Sequence, residues 1–383
     1  LRRSGALDLA ILVSKHDCAA AGLFTRNEVA AAPVIIDREI LAASSDRIRA
    51  VLANSGVANA CTGPAGMEAA RATQLAAGTS LGCEPDQVLV LSTGLIGAQL
   101  DADKVERGIR QIAKNLSVYG GSEAARAIMT TDTRPKETML RVAVGGDEVT
   151  IGGMAKGSGM IHPNMATMLA VLTTDASIAP NDLEDTLNAA VEKTFNRITV
   201  DGDTSTNDSV IVLANGASGV AIKDKQALAS FAEALQQVCQ HLAMEIVRDG
   251  EGASRFVTLT VSGASDEAAA LRVAKTIATS PLVKTAFAGG DANWGRILAA
   301  AGRAGVQIEQ SNLALWLGNE AAGELRLVEN GTSAGYDVSR ANAILKAPEF
   351  AVRLDLGLGS AQATVWTCDL THDYVTINAD YRT

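Results

Sequence analysis

Apolar and polar positions along the chain fall into two alternating patterns. Short apolar runs at 49–53 and 87–91 lead into glycine-containing turns, which is typical of buried strands that end in loops. Elsewhere apolar residues recur every three or four positions, which predicts helices that pack on a core. The three clearest helical stripes are formed by Val105, Ile109, Ile112 and Leu116, by Leu183, Leu187, Ala190 and Val191, and by Leu228, Phe231, Leu235, Val238, Leu242 and Ile246.

Strands and helices continue to interleave towards the C-terminus. Val257, Leu259 and Val261 alternate with threonines, which predicts a half-buried strand, and helical spacing follows over 266–278. Short apolar runs do not report strand direction, so parallel and antiparallel sheets both fit the pattern. The sequence therefore predicts an α/β or α+β fold in which helices pack over sheets in layers.

The glycine-rich segment 250–254 follows the longest predicted helix. Such a composition shift between periodic segments is typical of a domain boundary. We therefore predict a larger domain over 1–255 and a smaller C-terminal α/β domain over 256–383.

Composition and charge narrow the class of protein. Of the 383 residues, 47% are hydrophobic and 20% are charged, which is typical of a compact globular protein. The formal net charge of −10 repels nucleic acid and anionic lipid. No window reaches the roughly 18 uninterrupted apolar residues that a transmembrane helix needs. We expect a soluble, cytoplasmic protein with neither a nucleic acid nor a membrane as partner.

Metal-binding, disulfide and nucleotide-binding patterns are missing from the sequence. The five cysteines and four histidines are widely scattered and form no spacing that suits a metal or a disulfide framework. The glycine-rich stretch 152–159 has its lysine before the Gly-Ser pair, unlike a P-loop, and the pair Gly357 and Gly359 lacks the third glycine of a dinucleotide turn. The sequence predicts no metal.

Thr167 stands where a polar, glycine-rich loop becomes the apolar run 168–172. A threonine hydroxyl is a weak nucleophile that needs a base. A chain cut just before a threonine supplies that base as a new α-amino group, with a pKa of about 7.7 to 8.0. From the residues alone, a threonine that merely begins a core strand is the more common alternative.

The segment 156–167 resembles the signature of the ornithine acetyltransferase family, the ArgJ proteins of arginine biosynthesis. Further motifs of the same family follow one order across nearly the whole chain, which makes coincidence a poor explanation. They lie at 54–63, 92–97, 130–136, 195–208, 249–253, 283–286, 291–296 and 378–383.

The resemblance implies a precursor that cuts itself between Ala166 and Thr167 into an α chain and a β chain. The Thr167 hydroxyl would first attack the Ala166 carbonyl in an N-to-O acyl shift, and the resulting ester would be hydrolysed. The same oxygen would then take acetyl from N2-acetyl-L-ornithine and pass it to L-glutamate, with ping-pong kinetics through an acetyl-enzyme.

Matching motifs also imply roles for other residues. Thr93 and Gly94 resemble an oxyanion hole, whose individual donors are typically worth about 2.7 to 4 kcal/mol. Lys156 would pair with the substrate carboxylate, and Thr133 would hydrogen-bond the substrate. Without the resemblance, Ser-Thr-Gly after a strand is more often a plain turn, and a single lysine is usually solvated.

The C-terminal third contributes further implied substrate contacts. Glu251, flanked by glycines, would accept an ornithine ammonium, and Asn378 and Thr383 would return from the C-terminus to line the pocket. From the residues alone, these are an exposed turn and a solvated tail. The sequence departs from the family pattern at Val57, where many members have Asn, and at Ala292, where Pro is usual.

The resemblance also implies the fold, the assembly and the cofactors. The fold would be a layered DmpA/ArgJ-like arrangement rather than the common N-terminal-nucleophile hydrolase fold, and the αβ pairs would assemble into a homo-oligomer. No metal or prosthetic group is implied, and acetyl-CoA as a second acetyl donor is left open. A self-cleaving aminopeptidase or amidase is the main rival, and an inactive scaffold protein is a second.

Overall fold

The computed structural model describes residues 7–162 and 168–380. This part of the chain divides into two compact units. Of the described residues, the first unit holds 7–162, 168–196 and 203–246, and the second holds 197–202 and 247–380. The domain boundary between residues 255 and 256 stays a prediction.

Strands and helices interleave along the whole described chain. The strands are β1 (Leu9–Phe24), β2 (Ile48–Val57), β3 (Val88–Leu95), β4 (Lys136–Val144), β5 (Asp147–Lys156), β6 (Leu169–Thr174), β7 (Ser177–Ile178), β8 (Ile198–Thr199), β9 (Ser209–Ala214), β10 (Ala221–Ile222), β11 (Phe256–Ala264), β12 (Ala314–Asn319), β13 (Gly323–Glu329), β14 (Thr332–Ser333), β15 (Glu349–Asp355) and β16 (Ala361–Cys368). The helices are α1 (Ala32–Ala43), α2 (Gly63–Leu81), α3 (Ala102–Ile112), α4 (Gly121–Ala127), α5 (Pro180–Lys193), α6 (Lys225–Arg248), α7 (Glu267–Ala278), α8 (Pro281–Gly289), α9 (Trp294–Gly302), α10 (Val338–Lys346) and α11 (His372–Asp380).

The first unit is built on a sheet of mixed direction, in the order β3-β2-β1-β9-β6-β5-β4. β2 pairs with β3 in parallel, and β6 pairs with β9 in parallel, while the other neighbours are antiparallel. Helices α1 and α2 pack on β3, and α5 packs on β1. The layered arrangement of helices over sheets is confirmed.

The edge strand β3 has buried polar side chains beside its open side. Asp37 Oδ1 accepts a hydrogen bond from the Val90 amide over 2.8 Å, and Gln74 Nε2 donates to the Val88 carbonyl over 2.9 Å. An unpaired strand edge invites association with other chains, and covering it with helices prevents this. α1 and α2 thus supply hydrogen-bond partners for the backbone groups of β3 as well as apolar contacts.

Helix α6 lies against β5. A Cβ on Gly153 would stand 3.0 Å from Leu242 Cδ1 and 3.4 Å from Val238 Cγ1, so the glycine permits the close approach. Both the leucine and the valine belong to the helical stripe of the sequence and are buried. The stripe therefore faces the strand that ends at Lys156.

The second unit has its own sheet and core. Its strand order is β14-β13-β12-β15-β11-β16-β8. Helix α7 packs on β11 and β16 and brings Val273, Ala274 and Ile277 into the core. Phe287 and Phe350 meet edge to face with ring centroids 5.3 Å apart.

Most of the predicted elements are confirmed, and one helix end is wrong. β2, β3 and β11 cover the predicted strands, and α5, α6 and α7 cover the predicted helices. α7 begins after Asp266, whose carboxylate caps it by accepting from the Ala269 amide. α3, however, ends at Ile112, and Leu116 is exposed beyond it. Polar residues follow Ile112, and the Asn115 amide turns back to the Ile112 carbonyl.

Candidate active site

The ends of β2 and β3 meet backbone to backbone at Gly94. Gly94 has φ of 128°, and a Cβ there would stand 2.3 Å from the carbonyl carbon of Gly56. Gly56 pairs with Gly94 in the parallel ladder, and Thr93 pairs with Ser55. Only a residue without a side chain fits here, so the packing of the two paired strand ends requires glycine at position 94.

Buried amides hold the two strand ends together. Ser92 Oγ donates to Asn54 Oδ1 over 2.6 Å, and Asn54 Nδ2 donates to the Val57 carbonyl over 2.9 Å. Asn207 Nδ2 donates to the carbonyls of Ala58 and Ser92, over 2.6 and 2.8 Å. The carbonyl of Ser92 belongs to the peptide that carries the Thr93 amide, so Asn207 fixes the orientation of that peptide. The sequence analysis did not single out Asn207.

Lys156 reaches the same place from the end of β5. The residue is 7% exposed, and its Nζ donates to Thr93 Oγ1 over 3.4 Å. In the β5/β6 ladder Lys156 pairs with Leu169, and the carbonyl of Met168 accepts from the Ser209 amide over 2.9 Å. The chain that follows Thr167 is therefore anchored in the sheet opposite Lys156. Ala166 and Thr167 themselves lie outside the described residues.

A buried ion pair lies beside Lys156, in the segment 130–136, which we call the Asp132 loop. Lys136 Nζ donates to Asp132 Oδ1 over 2.7 Å, and neither side chain has exposed surface. The Gly157 amide donates to the same oxygen over 2.7 Å. Burial raises the pKa of Asp132, but the charges of Lys156 and Lys136 and the hydrogen bonds from Lys136 and Gly157 outweigh it and lower that pKa to about 2.

Asp132 and Lys136 have the i, i+4 spacing of a helical ion pair. Because Pro135 lies between them and argues against a helix, the sequence did not predict that they pair. A second link joins the same segments, since the hydroxyls of Thr131 and Ser158 are 2.6 Å apart. The Asp132 loop is thus fastened to the two residues that follow Lys156.

Thr133 is exposed and lines an open recess of about 390 Å³. Thr130, Asp132 and Pro135 of the Asp132 loop line the same recess, together with Arg126 and Met129 at the end of α4. A recess of this size suits a small molecule. The predicted substrate contact at Thr133 is therefore accessible.

In the second unit the structure brings Glu251 and Asn378 together. Asn378 Nδ2 donates to Glu251 Oε2 over 2.8 Å and to the Tyr374 carbonyl over 3.0 Å. Gly252 passes so close to α11 that a Cβ on it would stand 2.4 Å from the Tyr374 amide nitrogen. Thr383 lies outside the described residues.

The beginning of α11 is tied to the glycine-rich turn by further polar contacts. Thr371 Oγ1 donates to the Gly252 carbonyl over 2.7 Å, and Asp369 Oδ1 accepts from the amides of Ser254 and Arg255, over 2.8 and 2.9 Å. Glu251 is thus held on a turn that both strand and helix neighbours support.

The two departures from the family pattern lie in ordered backbone. Val57 ends β2, where its carbonyl accepts from Asn54. Ala292 is 7% exposed in the turn before α9, and its carbonyl accepts from the Trp294 amide over 2.9 Å. Neither side chain contributes a polar group to the contacts around Thr93 and Lys156.

Other kinds of site find no support in the described part of the chain. Among residues 7–162 and 168–380, no three histidine, cysteine, aspartate or glutamate side chains gather as metal ligands would. None of the helices in that part is long and apolar enough to cross a bilayer.

Comparison with known proteins identifies the family of this chain. The model of the ArgJ family matches residues 1–383. The arginine biosynthesis bifunctional protein ArgJ of Symbiobacterium thermophilum is 48% identical over 383 residues, covering 99% of this chain and 93% of that protein. The protein of the same name from Geobacter sulfurreducens is 47% identical over 386 residues, covering 100% and 96%. A solved chain of the Bacillus halodurans arginine biosynthesis bifunctional protein argJ matches with TM-score 0.51 and 42% identity, over 55% of this chain and 97% of that one.

Proposed function

Because the chain belongs to the ArgJ family and is an acyltransferase, we propose that it moves acetyl from N2-acetyl-L-ornithine to L-glutamate. Thr167 is the proposed nucleophile, freed by self-cleavage between Ala166 and Thr167. In this proposal the α-amino group of Thr167 serves as the base and its hydroxyl oxygen carries the acetyl group between the two substrates.

One observation carries this proposal. The buried ammonium of Lys156 lies 3.4 Å from the Thr93 hydroxyl, on the strand that pairs with the strand beginning just after Thr167. A cation, a hydroxyl donor and a glycine amide therefore lie near one another in the first unit, and the cation pairs across the sheet with Leu169, two residues after Thr167 in sequence. Such donors suit a developing oxyanion and a substrate carboxylate.

Each chemical step has a group to perform it. Attack by Thr167 Oγ1 on the acetyl carbonyl carbon pushes electrons onto the carbonyl oxygen, which the Thr93 hydroxyl and the Gly94 amide would stabilise. Collapse of this tetrahedral intermediate breaks the bond between the acetyl carbon and the ornithine nitrogen. The nitrogen leaves as an amine after it takes the proton that the α-amino group of Thr167 removed from the Thr167 hydroxyl. Glutamate then attacks the acetyl ester with its amine and regenerates the Thr167 hydroxyl. Glu251 and Asn378, with Thr133, Lys156 and Thr383, are the proposed substrate contacts.

The size of the solved relative supports the proposed cleavage. The match covers 97% of that solved chain but 55% of this one. The segment from Thr167 to Thr383 likewise makes up a little more than half of this sequence. A chain of that size is what cleavage before Thr167 leaves.

Acetyl-CoA is the second proposed acetyl donor. The support is that relatives matched over most of their length are named bifunctional proteins. If acetyl-CoA acetylates Thr167, glutamate acetylation proceeds without N-acetylornithine. Incubation with labelled acetyl-CoA and glutamate, followed by mass spectrometry of the products, measures this directly. No labelled N-acetylglutamate above background would limit the proposal to acetyl exchange between amino acids.

The proposed nucleophile is tested by Thr167→Ala and Thr167→Ser. Wild type and Thr167→Ser, which keeps a hydroxyl, should run as two fragments of roughly 17 and 22 kDa, since the intact chain of 383 residues has 39.5 kDa. Thr167→Ala should stay as one band and lose acetyl transfer by about 10³-fold or more. Denaturing gels, intact mass and acetyl-transfer assays read out both effects.

Thr173→Ala is the matched control, because Thr173 is an exposed threonine of β6, the strand that begins at Leu169, and it should cleave and react like wild type. Cleavage of Thr167→Ala at the wild-type rate would contradict the assignment of the nucleophile. Release of acetate that exceeds acetyl transfer to glutamate would instead favour the amidase alternative.

A further inference from the structure

The proposed chemistry does not use the buried carboxylate beside Lys156. Asp132 Oδ1 accepts from Lys136 Nζ and from the Gly157 amide, each over 2.7 Å, and Oδ2 accepts from the Thr130 amide over 3.0 Å. The Gly157 amide belongs to the peptide that leaves Lys156. One carboxylate therefore fixes both the Asp132 loop and the backbone bend directly after Lys156.

The ammonium groups of Lys136 and Lys156 both interact electrostatically with this one carboxylate, but they make different hydrogen bonds. Lys136 Nζ bonds to Asp132, whereas Lys156 Nζ bonds to Thr93 Oγ1 while the charge of Lys156 still acts on Asp132. A buried ion pair needs close geometry to offset the loss of hydration. With Lys136 bonded to Oδ1, the carboxylate still attracts Lys156 electrostatically, while the Lys156 amine donates to Thr93.

We propose that Asp132 is a positioning residue for Lys156, and that Lys136 occupies its carboxylate so that the Lys156 amine stays at Thr93. This inference rests on the proposed function, because it assigns Lys156 to the carboxylate of an amino-acid substrate. The Asp132 side chain has no exposed surface with which to contact a substrate. Its effect reaches them through the placement of one ammonium group and of the backbone behind it.

The double variant Asp132→Asn, Lys136→Met tests the proposal. Removing both charges together leaves no unpaired buried ion of the pair, so the variant should fold, and the introduced amide side chain keeps an oxygen for the Gly157 N–H. Lys156 then loses the charge that holds it. We expect KM for N-acetylornithine and for glutamate to rise at least tenfold, with kcat within about threefold of wild type, and a melting temperature within about 5 °C.

Asp175→Asn is the matched control. Asp175 Oδ1 accepts from the Thr150 amide over 2.8 Å, near the opposite end of the strand that ends at Lys156. It is the same kind of contact between a carboxylate and the backbone of β5, far along the strand from Lys156. Its KM values should equal those of wild type.

The outcomes separate this inference from the function on which it rests. Wild-type KM values in a stable double variant would overturn it, as would a parallel fall of kcat, kcat/KM and melting temperature, which marks a purely structural ion pair. A wild-type enzyme that transfers no acetyl between N-acetylornithine and glutamate would overturn the proposed function, and this inference with it.

Discussion

At the scale of single residues, two buried carboxyl groups of the first unit have pKa values displaced in opposite directions. Burial raises the pKa of Asp37 well above its ordinary value, and the hydrogen bond from the Val90 amide only partly opposes this. At Asp132 the positive charges of Lys156 and Lys136 outweigh burial. Countercharge rather than exposure therefore determines the direction in which the pKa of each of these two buried acids is displaced.

Asp37→Asn should change how stability depends on pH. Since the folded-state pKa of Asp37 is raised, its contribution is complete below the unfolded-state pKa of about 3.9 and is lost as pH rises through the folded-state value. The variant lacks this loss. Its free energy of unfolding relative to wild type should therefore increase with pH above about 4, by at most about 1.4 kcal/mol per pH unit.

Urea unfolding of both proteins between pH 4 and pH 8 measures this difference. Asp132→Asn should show the opposite sign in a separate series between about pH 4 and pH 2. Asp132, with its pKa lowered to about 2, stabilises the fold above the unfolded-state pKa, and its contribution is lost as pH falls through the folded-state value. A pH-independent difference between wild type and Asp37→Asn would show that Asp37 is not held with a raised pKa.

At the scale of elements, the paired ends of β2 and β3 come so close together that no side chain fits at Gly94. We expect Gly94→Ala to reduce acetyl transfer at least a hundredfold, because the clash with the Gly56 backbone displaces the proposed oxyanion donors. Gly97→Ala separates this clash from backbone strain, since Gly97 also has positive φ, 85°, but open space around it.

Gly97→Ala should cost about 1 kcal/mol of stability and retain most of the activity. Chemical unfolding and steady-state kinetics of the two variants give both numbers. Equal activity losses at the two positions would mean that positive φ, rather than the contact between strands, determines the geometry at Thr93.

The same elements show how far a sequence determines a fold. The sequence predicted β2 and β3 because each contains a continuous buried apolar run, and it predicted α5, α6 and α7 because each has a dense apolar stripe. Strand direction could not be predicted, and the sheet proved to contain both parallel and antiparallel pairs. The helix predicted through Leu116 was one turn too long, because an exposed leucine at helical spacing cannot be distinguished in sequence from a buried one.

Motifs implied roles for Thr93, Gly94 and Lys156, and the motif 195–208 also contains Asn207, but the sequence did not say what Asn207 contacts. Asn207 contacts the carbonyl of Ser92, a residue 115 positions away in sequence. Such a contact leaves no local pattern, because it depends on which strands become neighbours. The supporting groups of the site could therefore be found only once the sheet was assembled.

At the scale of the molecule, the proposed cleavage falls between strands that are interleaved in one sheet. The sheet order is β3-β2-β1-β9-β6-β5-β4, so the strands that follow Thr167, β6 and β9, lie between β1 and β5, which precede it. β9 pairs with β1 over six residues of each, from Ala19 with Ala214 to Phe24 with Ser209. β5 pairs with β6 from Ile151 to Lys156. Neither fragment contains all the strands of this sheet.

Cleavage should therefore leave the two fragments associated. On native size-exclusion chromatography we expect both fragments of the wild type to elute together, at the position of uncut Thr167→Ala, because the backbone hydrogen bonds on both outer sides of the β6/β9 pair cross between fragments. In urea the fragments should part only where the uncut control also unfolds. The fragment 1–166 expressed alone should be insoluble or unfolded by circular dichroism, because it lacks β6 and β9 from the middle of its sheet. Separate elution in native buffer would contradict the interleaved sheet or place the cut elsewhere in the chain.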